Sequence, residues 1–243
     1  KRLFALLFCL FMFGSEKLEC QQAEGNFNDT PASITERLKK KGLSYEFVYT
    51  GEFVSNISGG LSQNSEYLSN TDLILTIDGE TFLNWKGATF NFYGLANYGG
   101  SPSEHVVDVQ GVSNIDSPDA IRLYEAWYNQ NLFDDRLSLL VGLFDLNSEF
   151  DVIESAGLFL NASFGIGPDY SQSGENGPSI FPVTSLALRA RIQLSKQFSI
   201  QTAIFDAVPG DSDNPKSNMI DLRSEEVVLV SSEIQYIHEG EDD

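Results

Sequence analysis

Residues 121–146 read IRLYEAWYNQNLFDDRLSLLVGLFDL and contain two extended runs joined at Asp134 and Asp135. The second run places an apolar set on one face, Leu137, Leu139, Val141 and Leu143. The first run places a polar set on one face, Glu125, Trp127, Asn129 and Asn131, with Tyr124 on the other. Alternation with period two predicts strands. The large polar groups suit a wide, wet interior, so the stretch predicts an antiparallel transmembrane β-barrel or a piece of one.

The composition excludes several classes of protein. The chain has 243 residues and a formal net charge of −20, which disfavours nucleic acid as a partner because phosphates need Lys and Arg. Both cysteines lie in the first twenty residues, and the two histidines, His105 and His238, are isolated. No metal-ligand spacing or catalytic motif is present. We therefore expect no enzyme activity, no metal and no cofactor.

The amino end has the pattern of a secretory signal peptide. Lys1 and Arg2 precede the apolar run LFALLFCLFMF, residues 3–13. The run is too short for a spanning helix, which needs about 20 apolar residues. We assign residues 1–23 to the signal peptide, with a core helix over residues 3–13 as the alternative.

Residues 24–42 are predicted to form an N-terminal segment with a short helix. Ser33 and Glu36 have capping-box spacing, and Gly42 follows three lysines. Two roles remain open for this helix: a periplasmic plug or lid, or a packing element that orders the amino end.

Residues 43–243 are assigned to the β-barrel, with about eight strands. The predicted strands are 43–54, 71–78, 88–98, the two runs of residues 121–146, 184–194, 198–208 and 227–237. No other apolar run could span a membrane as a helix, so residence in a membrane requires a closed barrel. The connection 147–183 is long enough to be functional or disordered, and in a pore it could fold inward and narrow the lumen.

Residues 184–194, TSLALRARIQL, alternate most clearly. One face is wholly apolar, and the other carries Arg189 and Arg191. In a bilayer the arginines would face water, because an arginine in lipid is costly. In a soluble β-sandwich the same alternation would place them on the outer surface, and the pattern fits both.

Several segments together resemble the bacterial carbohydrate-selective porins, in that family's order, from about residue 42 to residue 237. They are YEFVYTGEFVSNISGG at 45–60, WKGATF at 85–90, RLYEAW at 122–127, LSLLVGL at 137–143, SEF at 148–150 and AGLFLNASFG at 156–165. The resemblance implies a sixteen-stranded barrel in the bacterial outer membrane that passes glucose and related sugars by diffusion. This chain has about half of those strands and ends in Asp243 rather than an aromatic residue, so we expect a truncated product or a fragment.

Strand parity selects the candidate pore-lining residues. A sugar-preferring pore needs charged groups that replace hydration and aromatic rings that stack on the sugar. We expect Arg189 and Arg191 to donate to hydroxyls. The other candidates are the acceptors Glu46, Glu125 and Glu233, the stacking surface Trp127, and the wall residues Asp72 and Asn91. A register error of one residue would move any of them to the lipid face.

The implied partners are small neutral sugars and outer-membrane lipid, and a homotrimer is a candidate assembly because trimers are common among porins. Three alternatives remain. One is an exported β-barrel that binds a sugar without conducting it, and another is a structural outer-membrane barrel. The third and least supported is an enzyme with a close carboxylate pair in a glycosidase-like cleft.

Overall fold

The computed structural model describes residues 31–174, 176–211, 213–214, 216 and 227–237, so the expected signal peptide, residues 1–23, lies outside the described residues. Eight antiparallel strands form one sheet in chain order, as predicted. They are β1 Leu43–Ser55, β2 Ser65–Asp78, β3 Ala88–Gly99, β4 Ala120–Leu132, β5 Leu137–Phe144, β6 Ser185–Gln193, β7 Phe198–Asp206 and β8 Val228–Tyr236. Among these strands β1 and β8 are the two edges, and the sheet is open between them.

The described helices are short. They are α1 Pro31–Lys39, α2 Gly79–Leu83, α3 Ser103–Val106 and α4 Pro168–Ser171. Helix α1 is the predicted amino-terminal helix, and the chain turns into β1 at Gly42, whose φ of 79° favours glycine after a helix. Helix α2 lies between the predicted strands 71–78 and 88–98 and was not itself predicted. Its N-cap is Asp78, whose side chain accepts from the backbone N–H of Glu80 at 3.0 Å.

The sheet has two chemically different faces. We call the face against which residues 145–184 pack the inner face, and the opposite face the outer face. Ladder pairs run across the inner face from Glu46 through Ile74 and Tyr93 to Glu125. A second row on the same face runs from Asn129 through Leu140 and Arg189 to Ala203. The outer face is apolar and exposed, as at Phe47, Leu188 and Ile234.

Two local predictions need correction. Strand β2 begins at Ser65 rather than residue 71, because its polar first residues pair with the end of β1; the Ser55 and Ser65 hydroxyls lie 2.8 Å apart. Tyr124 lies on the same face as Glu125, because the β3–β4 register shifts beside Tyr93, and the Tyr93 and Tyr124 rings contact edge-to-face at 4.9 Å. A β-bulge of this kind breaks the alternation on which the prediction rested.

Residues 145–184, which we call the inward loop, cover part of the inner face. Phe144 and Phe205 on the sheet pack at 5.1 Å, and Phe150 from the loop packs on Phe205 at 6.3 Å. These rings are fully buried with Leu140, Leu146 and Ile166 in one apolar cluster. The inner face is therefore dry where the loop lies, which explains why Leu140 and Phe144 interrupt its polar pattern.

The connections differ in length at the two ends of the sheet. Residues 56–64, 100–119, 145–184 and 207–227 connect strands at one end, and residues 79–87, 133–136 and 194–197 connect them at the other. Short turns at one end and longer loops at the other are typical of outer-membrane barrels, in which the short turns are periplasmic.

Candidate functional site

A cavity of about 570 Å³ lies on the inner face beside the inward loop. Strands β4, β5 and β6, the 133–136 turn and the inward loop contribute its walls. The lining residues used below are Trp127, Asn129, Ser138, Glu149, Arg189 and Arg191. The cavity therefore combines an aromatic ring, neutral polar groups and charges of both signs.

Arg189 and the inward loop form a buried ion pair. The Arg189 Nε atom lies 3.0 Å from Oε2 of Glu149, and Arg189 is only 4% exposed. Its Nη1 atom also donates to Ser138, at 2.9 Å to Oγ and 3.2 Å to the backbone oxygen. An arginine held by a carboxylate and two neutral acceptors has a fixed orientation, so Arg189 is built into the wall.

Arg191 lies on the same face two residues further along β6, but it is exposed and lines the cavity. The two arginines that strand parity treats alike are therefore in different environments. Arg191 is the one whose guanidinium meets the open volume.

Trp127 lines the cavity and is oriented by a buried carboxylate. Its Nε1 donates to Oε2 of Glu125 at 3.0 Å, and Glu125 also accepts from the backbone N–H of Asp145 at 3.1 Å. The Nδ2 of Asn91 lies 3.4 Å from the same Glu125 oxygen. Glu125 and Asn91 are both buried, so they support the Trp127 ring from behind.

Glu233 contacts the inward loop. Its Oε2 accepts from the backbone N–H of Asp151 at 3.0 Å, and its Oε1 accepts from Nε2 of Gln201 at 3.3 Å. Gln201 also donates to the backbone oxygen of Glu149. Strands β7 and β8 thus hold the same short piece of loop that carries the partner of Arg189.

The remaining candidates lie apart from the cavity. Asp72 accepts from the Tyr93 hydroxyl at 2.7 Å and from Nδ2 of Asn70 at 2.6 Å. Glu46 is exposed on the edge strand β1. All eight candidates are on the inner face by ladder register, but the structure brings only Arg189, Arg191 and Trp127 together around the cavity. Their roles in a pore stay predictions.

Comparison with known proteins adds the decisive observation. A profile described as carbohydrate-selective porin, OprB family, matches residues 62–243, which is most of the chain. The chain belongs to this porin family. The family and the antiparallel sheet confirm the predicted fold class and place the porin in the bacterial outer membrane.

One solved structure supports the fold of the porin. The chain is similar to the high-pH structure of Pseudomonas putida OprB, with 22% identity and a TM-score of 0.67, over 76% of this chain and 46% of that one. It also matches the low-pH structure of Pseudomonas putida OprB at 20% identity and a TM-score of 0.46, over 74% and 50% of the two chains. The porin chain therefore spans about half the length of these structures. No curated protein sequence matches it.

The outer face of the porin carries aromatic residues near the short turns. The Trp85, Phe90 and Tyr128 rings form a cluster with centroids 5.1–5.9 Å apart, and Phe198 packs on Tyr236 at 4.7 Å. Aromatic girdles at the membrane–water boundary are characteristic of outer-membrane barrels. The cluster has the composition of such a girdle and lies beside the short turns.

Asp145 is the titratable group at the start of the inward loop. Its Oδ1 accepts from the backbone N–H of Asn147 at 2.6 Å, and its Oδ2 accepts from the Tyr124 hydroxyl. Burial of the carboxylate raises the pKa of Asp145 to about 6, although these hydrogen bonds favour the ionised form. The porin thus carries a carboxyl group that titrates near neutral pH where the loop leaves β5.

Sequence reasoning missed three residues of the site, Ser138, Glu149 and Gln201. Ser138 and Gln201 share strand parity with chosen candidates, so parity was a usable signal for them. Glu149 lies in the loop and had no such signal. In the described part of the porin, no group of three or more His, Cys, Asp or Glu side chains could hold a metal ion. None of the described helices has the length and apolarity needed to cross a membrane.

Proposed function

We propose that this chain forms part of the wall of an outer-membrane pore through which small neutral sugars, such as glucose, diffuse. The observation that carries the proposal is the cavity beside the inward loop, where Trp127 and Arg191 meet polar wall groups and Glu149. Membership of the carbohydrate-selective porin family supports the choice of solute. The proposal assigns no catalytic role to the chain.

The chemistry of the cavity suits a sugar. Hydroxyl groups both donate and accept hydrogen bonds, and sugar rings have apolar faces. The exposed guanidinium of Arg191 supplies donors, the Glu149 carboxylate supplies an acceptor, and the Trp127 ring supplies a surface for stacking. The cavity is open, so a sugar keeps part of its hydration and leaves readily, as conduction requires.

The pore needs a wall on all sides. In the described residues β1 and β8 are edge strands, and an open sheet edge has no hydrogen-bond partners in lipid. We infer that further strands complete a sixteen-stranded barrel, which agrees with a chain that spans 46% of a Pseudomonas putida OprB structure. A homotrimer in outer-membrane lipid is our proposed assembly, because trimers are common among porins; the mass of the detergent-solubilised complex tests it.

The test uses full-length protein purified from the outer membrane and reconstituted into liposomes, with the swelling rate measured in glucose. We expect glucose to enter, and we expect Arg191→Ala and Trp127→Phe to slow its entry. Lys196→Ala and Trp85→Phe are the matched controls, because Lys196 lies in an exposed short turn and Trp85 lies on the outer face.

Two results would overturn the proposal at different levels. If the wild-type protein admits no solute, the chain belongs to an exported barrel with a sugar-binding or structural role. If glucose enters but Arg191→Ala and Trp127→Phe behave like their controls, the pore stands and the assignment of these two residues fails.

A further inference from the structure

The tripeptide Glu149–Phe150–Asp151 is held to three neighbouring strands, and each attachment uses a different group. The Glu149 side chain pairs with Arg189 of β6 at 3.0 Å. The Glu149 backbone oxygen accepts from Gln201 of β7, and the Asp151 backbone N–H donates to Glu233 of β8 at 3.0 Å. We call these three attachments the loop clasp.

The clasp is internally connected and closely packed. The Nε2 of Gln201 also donates to Oε1 of Glu233 at 3.3 Å, so this one donor contacts both the loop backbone and the side chain on the neighbouring strand. Phe150 lies between Glu149 and Asp151, and its side chain is buried against Phe205.

The position of the clasp determines how far Glu149 reaches into the cavity. Glu149 lines the cavity, whereas Gln201 and Glu233 are absent from its lining and bind loop backbone instead. A side chain that spends its hydrogen bonds on the loop backbone holds the loop, and it has few donors or acceptors free to bind a passing solute.

We infer that Gln201 and Glu233 are positioning residues that set the size limit of the pore by holding the inward loop. Glu233 therefore acts on the loop, whereas strand parity alone predicted a sugar acceptor. The inference rests on the proposed function, since a size limit has meaning only in a conducting pore.

Loss of one clasp bond has a predictable direction. Removal of one hydrogen bond to a charged acceptor shifts the equilibrium between the held and the released tripeptide roughly tenfold toward the released state. The released tripeptide moves Glu149 from the cavity wall, so the passage widens. Neutral solutes larger than glucose then gain more in permeability than glucose itself.

The experiment measures liposome swelling in glucose, a disaccharide and a trisaccharide, together with single-channel conductance in KCl. Gln201→Met keeps the side-chain volume and removes the donor, and Glu233→Ala removes the acceptor. Glu233→Gln keeps an oxygen for the Asp151 N–H and is the rescue variant. Glu80→Ala is the control, because it removes an exposed carboxylate in the 79–87 connection, at the other end of the sheet from the inward loop.

We expect Gln201→Met and Glu233→Ala to raise the conductance and the disaccharide-to-glucose permeability ratio, and we expect Glu233→Gln and Glu80→Ala to match the wild type. Hydrogen exchange at residues 147–151 should accelerate in the first two variants only. Exchange supplies a readout in detergent if one variant inserts poorly into liposomes.

The inference is overturned if glucose enters through the wild-type pore while both clasp variants keep its size limit and its exchange rates. It is also overturned if Glu80→Ala shifts the ratio as much as Glu233→Ala, since the loss of one negative charge would then explain the change. A wild-type protein that admits no glucose would refute the proposed function, and faster exchange in the clasp variants would still identify the clasp as the holder of the loop.

Discussion

Replacing Asp145 with Asn should change how the stability of the protein depends on pH. Burial raises the pKa of Asp145 to about 6, from an ordinary value of 3.8. The folded chain therefore holds the proton more tightly than the unfolded chain does. The stabilisation from Asp145 is fully present below about pH 4 and is lost as the pH rises through about 6.

The size of the effect follows from the same numbers. A difference of about 2 pKa units corresponds to roughly 3 kcal/mol, at about 1.4 kcal/mol per unit. This is an upper limit, because Asp145 is only half-buried and its charge keeps some contact with water. The Asn147 N–H and the Tyr124 hydroxyl can still bond to the asparagine amide.

Guanidinium unfolding of the detergent-solubilised protein, followed by tryptophan fluorescence, measures the effect. The difference in unfolding free energy between Asp145→Asn and the wild type should grow in favour of the variant by up to about 3 kcal/mol from about pH 4 to about pH 8. Asp135→Asn, in the exposed 133–136 turn, is the matched control.

Parallel stability curves for Asp145→Asn and the wild type would refute the reasoning, because burial would then impose no net cost on the charge. Glu125 accepts from the Asp145 N–H at 3.1 Å, so the two carboxylates can titrate as a pair. Repeating the comparison in a Glu125→Gln background isolates the part that belongs to Asp145.

Three further predictions test the outer face, the apolar cluster under the inward loop and a close backbone contact within the sheet. Leu188→Arg, on the exposed apolar face of β6, should cost about 2–4 kcal/mol and reduce outer-membrane assembly, whereas Gln193→Arg on the inner face should not; heat-modifiable gel mobility reports both. Phe144→Ala should cost about 3–5 kcal/mol of unfolding free energy, because Phe144 is fully buried under the inward loop. Gly142→Ala should lower the unfolding midpoint by the equivalent of about 1–3 kcal/mol, since Gly142 has φ 142° and an added Cβ would lie 2.3 Å from the Ala126 oxygen. An unchanged midpoint in either core variant would show that the backbone relaxes around the site.

The strands could be predicted from the sequence because their faces differ in polarity over many residues. Residues 73, 75 and 77 lie on the outer face and residues 72, 74, 76 and 78 on the inner face, in step with the alternation of the strand. The prediction failed at a polar strand end and at a β-bulge, where the alternation of polar and apolar residues is lost. The first residues of β2 resemble a loop in composition, because serines and an asparagine pair there with β1. The bulge beside Tyr93 places Tyr124 on the same face as Glu125, and the composition of the strand gives no sign of it.

The candidate site was harder to predict, because the environment of each side chain depends on a loop that is distant in sequence. Arg189 and Arg191 are two residues apart with the same parity, yet Arg189 is buried against Glu149 and Arg191 is exposed. Forty residues separate Glu149 from Arg189, and periodicity within a strand carries no information about such a contact. Glu233 has the parity of a pore-lining acceptor, and its carboxylate binds the loop backbone instead.

The polar side chains of the inner face therefore have one of two roles, depending on whether the inward loop covers them. Under the inward loop, polar side chains must satisfy buried backbone groups, since an unpaired buried N–H or oxygen is costly, and Gln201 and Glu233 do so. Beside the loop, polar side chains face the cavity and remain able to exchange partners with water or a solute, as Arg191 can. Parity identifies the face, and only the path of the loop separates residues that hold the loop from residues that line the cavity. A substitution at Arg191 should therefore alter which solutes pass at a fixed size limit, whereas one at Gln201 should alter the size limit itself.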